Sequence, residues 1–295
     1  MSFLHPLQRG YLLTLENPWY RHACQSFWQQ QLLWDGNDIT MQVLSNMSQQ
    51  NVEAVIVAKS CGTLAGISEA TFFLEHESLS SQWKKKDGDS VSLEDEIVRF
   101  SGSAEVILRV ERILLNFLSR LSGVATNTKK LVDKIPKDIL LCATRKTLWG
   151  PLDKRAVFVG GGGTHRLGLF DAVMVKDNHL ALFSGNIETA AKAVYSTPSS
   201  AFWEIEVDTE EQFHQLFRVL PEGRPGGILF DNFSPIPLQN LLKNIKKPEG
   251  IFFEASGGIT PDNIQEFAKC GIDAISSGML TNSAHALDFS LSVLS

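Results

Sequence analysis

The rhythm of apolar and polar positions changes once along this chain, near Ser122-Gly123. Before that point, aromatic, helix-compatible sequence runs to about Leu33 and meets a polar turn at Asp35-Gly36-Asn37-Asp38. Val52–Ala58 (VEAVIVA) carries a strand signal, and Thr63–His76 a helical one. Lys84-Lys85-Lys86-Asp87-Gly88-Asp89 is a charged run entering a D-G turn and reads as a solvated hairpin tip. From Ala104 to Leu121 apolar residues (Ile107, Leu108, Val110, Ile113, Leu114, Leu115, Phe117, Leu118, Leu121) fall on most sides, which predicts a helix buried on more than one face. Glu111 and Arg112 lie within it and, on pattern alone, read as members of an intrahelical or interhelical ion pair on its one exposed strip.

Beyond Gly123 the pattern becomes a repeated beat of apolar strand, polar strand end and helix. The strand candidates are Ile139–Ala143, Ala156–Val159, Ala172–Val175, Trp203–Val207, Ile228–Phe230, Ile251–Ala255 and Ala274–Ile275. Strands spaced by helical stretches predict right-handed parallel β-α units, and their lack of clean alternation fits a sheet covered on both faces. An open nucleotide-binding sheet concentrates its phosphate motif in the first turn, whereas a barrel spreads functional residues over many strand ends. Here they are spread, and Gly160–Gly163 is not spaced as a dinucleotide fingerprint. The prediction is an α/β barrel, incomplete or distorted.

Length and composition narrow the partners. With 295 residues, 43% of them hydrophobic, the chain has ample material for a core. A net charge of −6 argues against nucleic acid or an anionic membrane as a general partner. No uncharged apolar run is long enough to cross a bilayer, and the N-terminus lacks a basic start followed by an apolar core. Cys24, Cys61, Cys142 and Cys270 lie far apart, as free thiols of a reducing cytosol do. The expectation is a soluble cytoplasmic protein, in which any anion site is local.

That local site stands between Ala143 and His179, where Thr144, Arg145, Lys146, His165, Arg166 and Lys176 crowd around the glycine run. Cations at neighbouring C-terminal strand ends converge on one mouth and repel one another unless an anion of comparable charge occupies it; guanidinium groups suit carboxylate and phosphate. Glu206 and Asp231 are carboxylates at strand ends on the same mouth. Beside cations they form plain salt bridges or, alternatively, hold a hard divalent ion that bridges a diphosphate. Ser256-Gly257-Gly258 and Ser276-Ser277-Gly278 follow the last two strands, where barrels frequently hold a phosphate.

With these residues in view, the sequence resembles the quinolinate phosphoribosyltransferase family over nearly its whole length. The matching segments are Asp38-Ile39-Thr40, IVAKSCGTLAGI (56–67), ERILLNFLSRLSGVAT (111–126), TRKT (144–147), GGGGTHRLGLFDAVMVKDNH (160–179), EIEVDT (204–209), FDNFSP (230–235), EASGGIT (254–260) and DAISSGMLTNSAHALDFSL (273–291). The resemblance implies an N-terminal α/β sandwich domain over residues 1–120, with 284–295 packing back on it, joined to an incomplete α/β barrel with parallel strands over 121–283. It implies a homodimer in which Arg112 reaches the partner's site. The implied reaction joins quinolinate to phosphoribosyl diphosphate with Mg2+ and yields nicotinate mononucleotide, diphosphate and carbon dioxide in NAD biosynthesis.

By the same resemblance Arg112, Arg145, His165, Arg166 and Lys176 surround the ring carboxylates, with Thr144 beside them. His165 takes a binding or positioning role. Lys146 and Lys176 lie near the phosphoribosyl donor, and Glu206 and Asp231 meet the ribose hydroxyls and the magnesium diphosphate. Ser256, Gly257, Gly258, Ser277, Gly278 and Asn282 form the phosphate loops. The chain departs from the family pattern at Ala143, where an aspartate is usual, in the shorter stretch TLWGPLDKRAV, and at Asn282, where a histidine is frequent. Two alternatives stand beside the main reading: a related barrel homologue associated with molybdenum transport, and a non-catalytic paralogue that binds a phosphorylated metabolite.

Overall fold

The computed structural model describes residues 5–44, 50–196 and 202–294; the expected domain limits at residues 1 and 295 lie outside them. The chain forms two compact units. A barrel unit comprises Met1–Arg9, Lys130–Thr147 and Gly162–Met279, and a sandwich unit comprises Gly10–Lys129, Leu148–Gly161 and Leu280–Ser295. A boundary at 120/121 falls inside one continuous helix, Ala104–Val132.

In the sandwich unit, strands β1 (Asn51–Ala58), β2 (Gly62–Thr63), β3 (Ser80–Trp83), β4 (Ser90–Val91) and β5 (Glu96–Ser103) are joined by the chain's last strand, Phe289–Leu294. That last strand, β1, β5 and β3 form an antiparallel sheet in this order, and β2 pairs with β4. The first long helix, Pro18–Asp35, starts where the Asn17 side chain accepts from the Trp19 N–H and Pro18 presets φ, and ends at Gly36 with φ 71°. It buries Tyr20, Cys24 and Trp28, four residues apart on one face, and Trp28 stacks on Phe73 at 4.6 Å.

Three sequence expectations change here. The helix predicted from Thr63 begins at Ile67, because Gly66 adopts φ 98° and Gly62–Thr63 enter β2. The charged run at 84–89 is no hairpin tip: β3 and β4 flank it but pair with β5 and β2. Its Asp87 accepts from the Gly66 and Ile67 N–H groups at 2.9 and 3.0 Å and pairs with Arg155 at 2.9 Å. The long helix does not stop at Gly123. A Cβ there would lie 2.1 Å from the His285 carbonyl oxygen, so glycine serves close approach within the helix rather than its end.

The barrel unit is built on six parallel strands: β6 (Leu140–Cys142), β7 (Val173–Val175), β8 (Trp203–Val207), β9 (Gly226–Asp231), β10 (Ile251–Ser256) and β11 (Ala274–Ser276). Their order, β6-β11-β10-β9-β8-β7, places the first strand beside the last, as in a barrel. Between β6 and β7 the wall is reduced to a bridge at Gly163, whose N–H donates to the Leu141 carbonyl at 2.7 Å while its carbonyl accepts from Ala143 at 2.9 Å. This is the incomplete barrel expected. The strand predicted at Ala156–Val159 is instead the end of a helix, Pro151–Val159, initiated by proline, and Gly163 takes the strand's place. A Cβ on Gly163 would lie 2.7 Å from Cys142 Sγ.

Alternation along the strands stacks the unit in layers. Leu7, Leu140, Cys142, Phe252 and Ala274 form an apolar cluster, with Phe202 stacked on Phe252 at 5.2 Å. Two residues further along β10, on the same face, stands Glu254 and then Ser256. Phe213 of the helix Glu210–Phe217 covers the opposite face through Phe230 and Phe253. Burying each such ring contributes about 1.5–3 kcal/mol.

Candidate functional site

Register brings the predicted residues to one edge of the parallel sheet. Cys142, Ser276, Ser256 and Asp231 form a row across four neighbouring strands. Val175 pairs with Ile205 and Val207 with Phe230, so Lys176 follows β7 beside Glu206, and Asp208 follows β8 beside Asp231. Thr144, Arg145 and Lys146 leave the end of β6, where the Thr144 hydroxyl accepts from the Lys146 N–H at 3.0 Å. Arg145 and Lys146 are exposed.

The acidic half of the site is tighter than the sequence suggested. Glu206, Asp208 and Asp231 each bring a carboxylate oxygen within 4.8 Å of the others, and Lys176 pairs with Glu206. Burial raises the Glu206 carboxyl pKa, Lys176 opposes the rise, and Asp231 and Asp208 add to it. Asp208 is raised by burial, then by Asp231 and Asp177. Such an all-oxygen set suits a hard divalent cation. Asp208 was not singled out from the sequence, although Glu204-Ile205-Glu206-Val207-Asp208 alternates and puts its three acids on one face.

On the cationic side, burial and then the approach of Arg145 lower the Arg166 pKa, while Glu204 and Asp171 oppose this. Arg145 therefore repels the Arg166 guanidinium, a repulsion that an anion would relieve. The loop carrying Arg166 is pinned by the chain's beginning. The Thr164 hydroxyl accepts from the Arg9 N–H at 2.8 Å, the His165 N–H donates to the Leu7 carbonyl at 2.9 Å, and Arg9 pairs with Asp171 at 3.0 Å.

His165 itself turns inward. Its Nε2 lies 3.2 Å from Glu204 and 3.3 Å from Glu254, and its Nδ1 accepts the Arg166 N–H at 2.7 Å. Burial lowers the imidazole pKa and Glu254 and then Glu204 raise it, but a second ring proton would have to sit on Nδ1 against the Arg166 N–H. Because the Nδ1 lone pair is occupied, the proton drawn into the group lies on the Nε2 and carboxylate side. Burial, followed by Glu254, raises Glu204 to about 7. Neither glutamate was foreseen in this role.

The last loops have the form a phosphate needs. Gly257 and Gly258 take φ 83° and 62° in succession; a Cβ on Gly257 would lie 2.2 Å from Asn232 Oδ1, whereas Gly258 faces open space. The Ser277 hydroxyl donates to the Ile259 carbonyl at 2.9 Å and so ties one loop to the other. Gly278 follows it at the end of β11. Arg112 and Asn282 belong to the sandwich unit and are exposed.

Comparison with known proteins identifies a family. Residues 124–292 match the quinolinate phosphoribosyl transferase C-terminal domain, and residues 38–122 the N-terminal domain. A probable nicotinate-nucleotide pyrophosphorylase (carboxylating) of Bacillus subtilis is 39% identical over 261 residues, covering 87% of this chain and 88% of the relative. One from Archaeoglobus fulgidus is 37% identical over 253 residues, covering 83% and 95%. The solved nicotinate-nucleotide pyrophosphorylase of Francisella tularensis superposes with a TM-score of 0.83 at 30% identity, covering 92% of this chain and 96% of that one. A chain that matches both domains in order, and full-length relatives at these identities, belongs to the quinolinate phosphoribosyl transferase family.

Proposed function

We propose that this protein transfers the phosphoribosyl group of 5-phosphoribosyl 1-diphosphate to quinolinate with decarboxylation, giving nicotinate mononucleotide in NAD biosynthesis, and that it works in the cytoplasm as a homodimer. The observation that carries this reading is that one unit holds both a mutually repelling arginine pair and a carboxylate trio at its strand ends. A dicarboxylate satisfies the first and a diphosphate with its cation the second.

In this reading Arg145 and Arg166, with Thr144 beside them and Arg112 from the partner subunit, hold the two ring carboxylates. Lys146 and Lys176 balance the charge of the donor's diphosphate. Glu206, Asp208 and Asp231 are the oxygen donors that would hold Mg2+, and the ribose hydroxyls lie against Glu206 and Asp231. The ion, when bound, neutralises diphosphate charge and makes it a better leaving group. Ser256, Gly257, Gly258 and Gly278 cradle the 5′-phosphate with backbone N–H groups, and Ser277 keeps their loops together.

The pyridine nitrogen attacks C1 of the ribose as the C1–O bond to diphosphate breaks, and the electron pair leaves with the diphosphate. Positive charge that builds on the ribose is stabilised by the nearby carboxylates. The ring nitrogen is then cationic. The bond to the adjacent carboxylate breaks, carbon dioxide departs, and the pair left on the ring carbon is stabilised by that nitrogen until a proton fills it. No decarboxylation cofactor is needed.

The decisive experiment is formation of nicotinate mononucleotide by the purified protein from the two substrates, with magnesium and with chelator. Magnesium-dependent product with equal carbon dioxide release is expected; no product from folded protein would overturn the reading. Arg145→Ala, at an exposed position, should leave thermal unfolding unchanged and lower kcat/KM by at least about 100-fold, the scale of an uncompensated charged contact.

A further inference from the structure

The middle layer of the barrel carries charge that the chemistry above leaves without a task. Glu204 and Glu254 are 1% and 0% exposed and face the same ring of His165. Apolar side chains of the same size would fill this space at less cost. Between the two acids stands His165 Nε2, 3.2 and 3.3 Å away, while Nδ1 accepts the Arg166 N–H at 2.7 Å. A ring held at both nitrogens has none to offer a ligand at the mouth. Its backbone is also unusual, with φ 50°, a left-handed region that a residue with a side chain keeps only where its surroundings impose it.

Those surroundings are the Leu7 carbonyl, which receives the His165 N–H, and the carboxylate pair, which receives the far end of the ring. What they fix between them is the residue that follows, Arg166.

We infer that Glu204, His165 and Glu254 form a buried brace that positions Arg166 for carboxylate recognition, with His165 a positioning residue rather than a substrate ligand. The inference rests on the reading of Arg166 as a carboxylate-binding residue. It assigns Glu204 and Glu254 a purpose, and it explains why a histidine stands where the left-handed backbone disfavours one: asparagine could adopt that backbone but could not span from the Arg166 N–H to two carboxylates.

The first test needs no turnover. In the free protein labelled with 15N-histidine, the His165 ring should be protonated at Nε2 and unprotonated at Nδ1, and should keep that tautomer when quinolinate is added to saturation. The signal is assigned by its loss in His165→Asn or, should that variant not fold, by replacing the six other histidines of the seven one at a time. A ring protonated at both nitrogens, or a change of tautomer or charge on adding quinolinate, would overturn the brace. So would a stoichiometric zinc, manganese or iron ion in the purified protein that is lost from Glu254→Gln, since the same three side chains could hold one.

Kinetics give the second test. Glu254→Gln keeps the volume and should raise KM for quinolinate about tenfold or more while KM for phosphoribosyl diphosphate stays within about twofold, as expected when one binding group is misplaced. Glu254→Asp should recover part of the loss. A folded Glu254→Gln protein with unchanged KM for quinolinate would overturn the inference. Failure of the wild-type protein to bind quinolinate at all would instead overturn the proposed function, and the ring tautomer would still decide the brace.

Discussion

Asp208 shows how much a single position depends on its neighbours. Its pKa is raised by burial and by Asp231 and Asp177, so its charged form is disfavoured in the folded protein, and the charge costs stability at pH values above its folded pKa. Asp208→Asn should therefore raise Tm at neutral pH in chelator. The gain should vanish as pH falls below the carboxylate range, where the wild-type side chain is neutral too; an unchanged or lower Tm at pH 7 would contradict the repulsion. Burial acts the same way on the thiols: first burial and then Glu69 push Cys24 up to about 12, and burial pushes Cys270 up to about 11. Of the four cysteines only Cys61 is exposed, so one thiol per chain should react with a disulfide reagent before unfolding and all four after.

Whole elements are placed by close approach and by buried charge. At the barrel's incomplete wall, a methyl group on Gly163 meets Cys142 Sγ at 2.7 Å and Leu140 Cδ2 at 3.0 Å. Gly163→Ala should cost about 1–3 kcal/mol in urea unfolding, and Cys142→Ala in the same chain should return part of it. Strict additivity of the two would mean the contact does not constrain this bridge. In the sandwich unit the helix Pro151–Val159 is tied by Arg155, whose Nε lies 3.3 Å from Glu69; Glu69 is 1% exposed and also accepts from the Tyr20 hydroxyl at 2.9 Å. Arg155→Met leaves that carboxylate without its cation and should cost about 3–5 kcal/mol near neutral pH. Burial already holds the Glu69 pKa high, so the deficit should shrink as pH falls and Glu69 takes a proton in the folded state.

At the scale of the whole molecule the cations of the proposed site are divided between the two units. Arg112 is exposed on the long helix of the sandwich unit, and the remaining cations belong to the barrel unit. If Arg112 serves the partner's barrel, mixing Arg112→Ala with Lys146→Ala should rebuild one intact site in each heterodimer and restore activity that neither parent has. Confirmed subunit exchange without any recovery would overturn the shared site. Among the described residues no helix is long and apolar enough to cross a membrane.

What the sequence by itself determined is what depends on short spacing. The beat of apolar strands with polar ends predicts the parallel β-α units of the barrel, and the strand ends select Thr144–Lys146, Lys176, Glu206, Asp231 and the two glycine loops, because neighbouring parallel strands must present their ends at one mouth. Only the tertiary structure decided the rest. AVFV at 156–159 reads equally as strand or buried helix, and packing makes it helix. Gly123 carries no mark that distinguishes an end from a close approach made with residue 285. The direction of the His165 ring depends on carboxylates 39 and 89 positions away, at 204 and 254, and pairings over such distances leave no trace in local pattern.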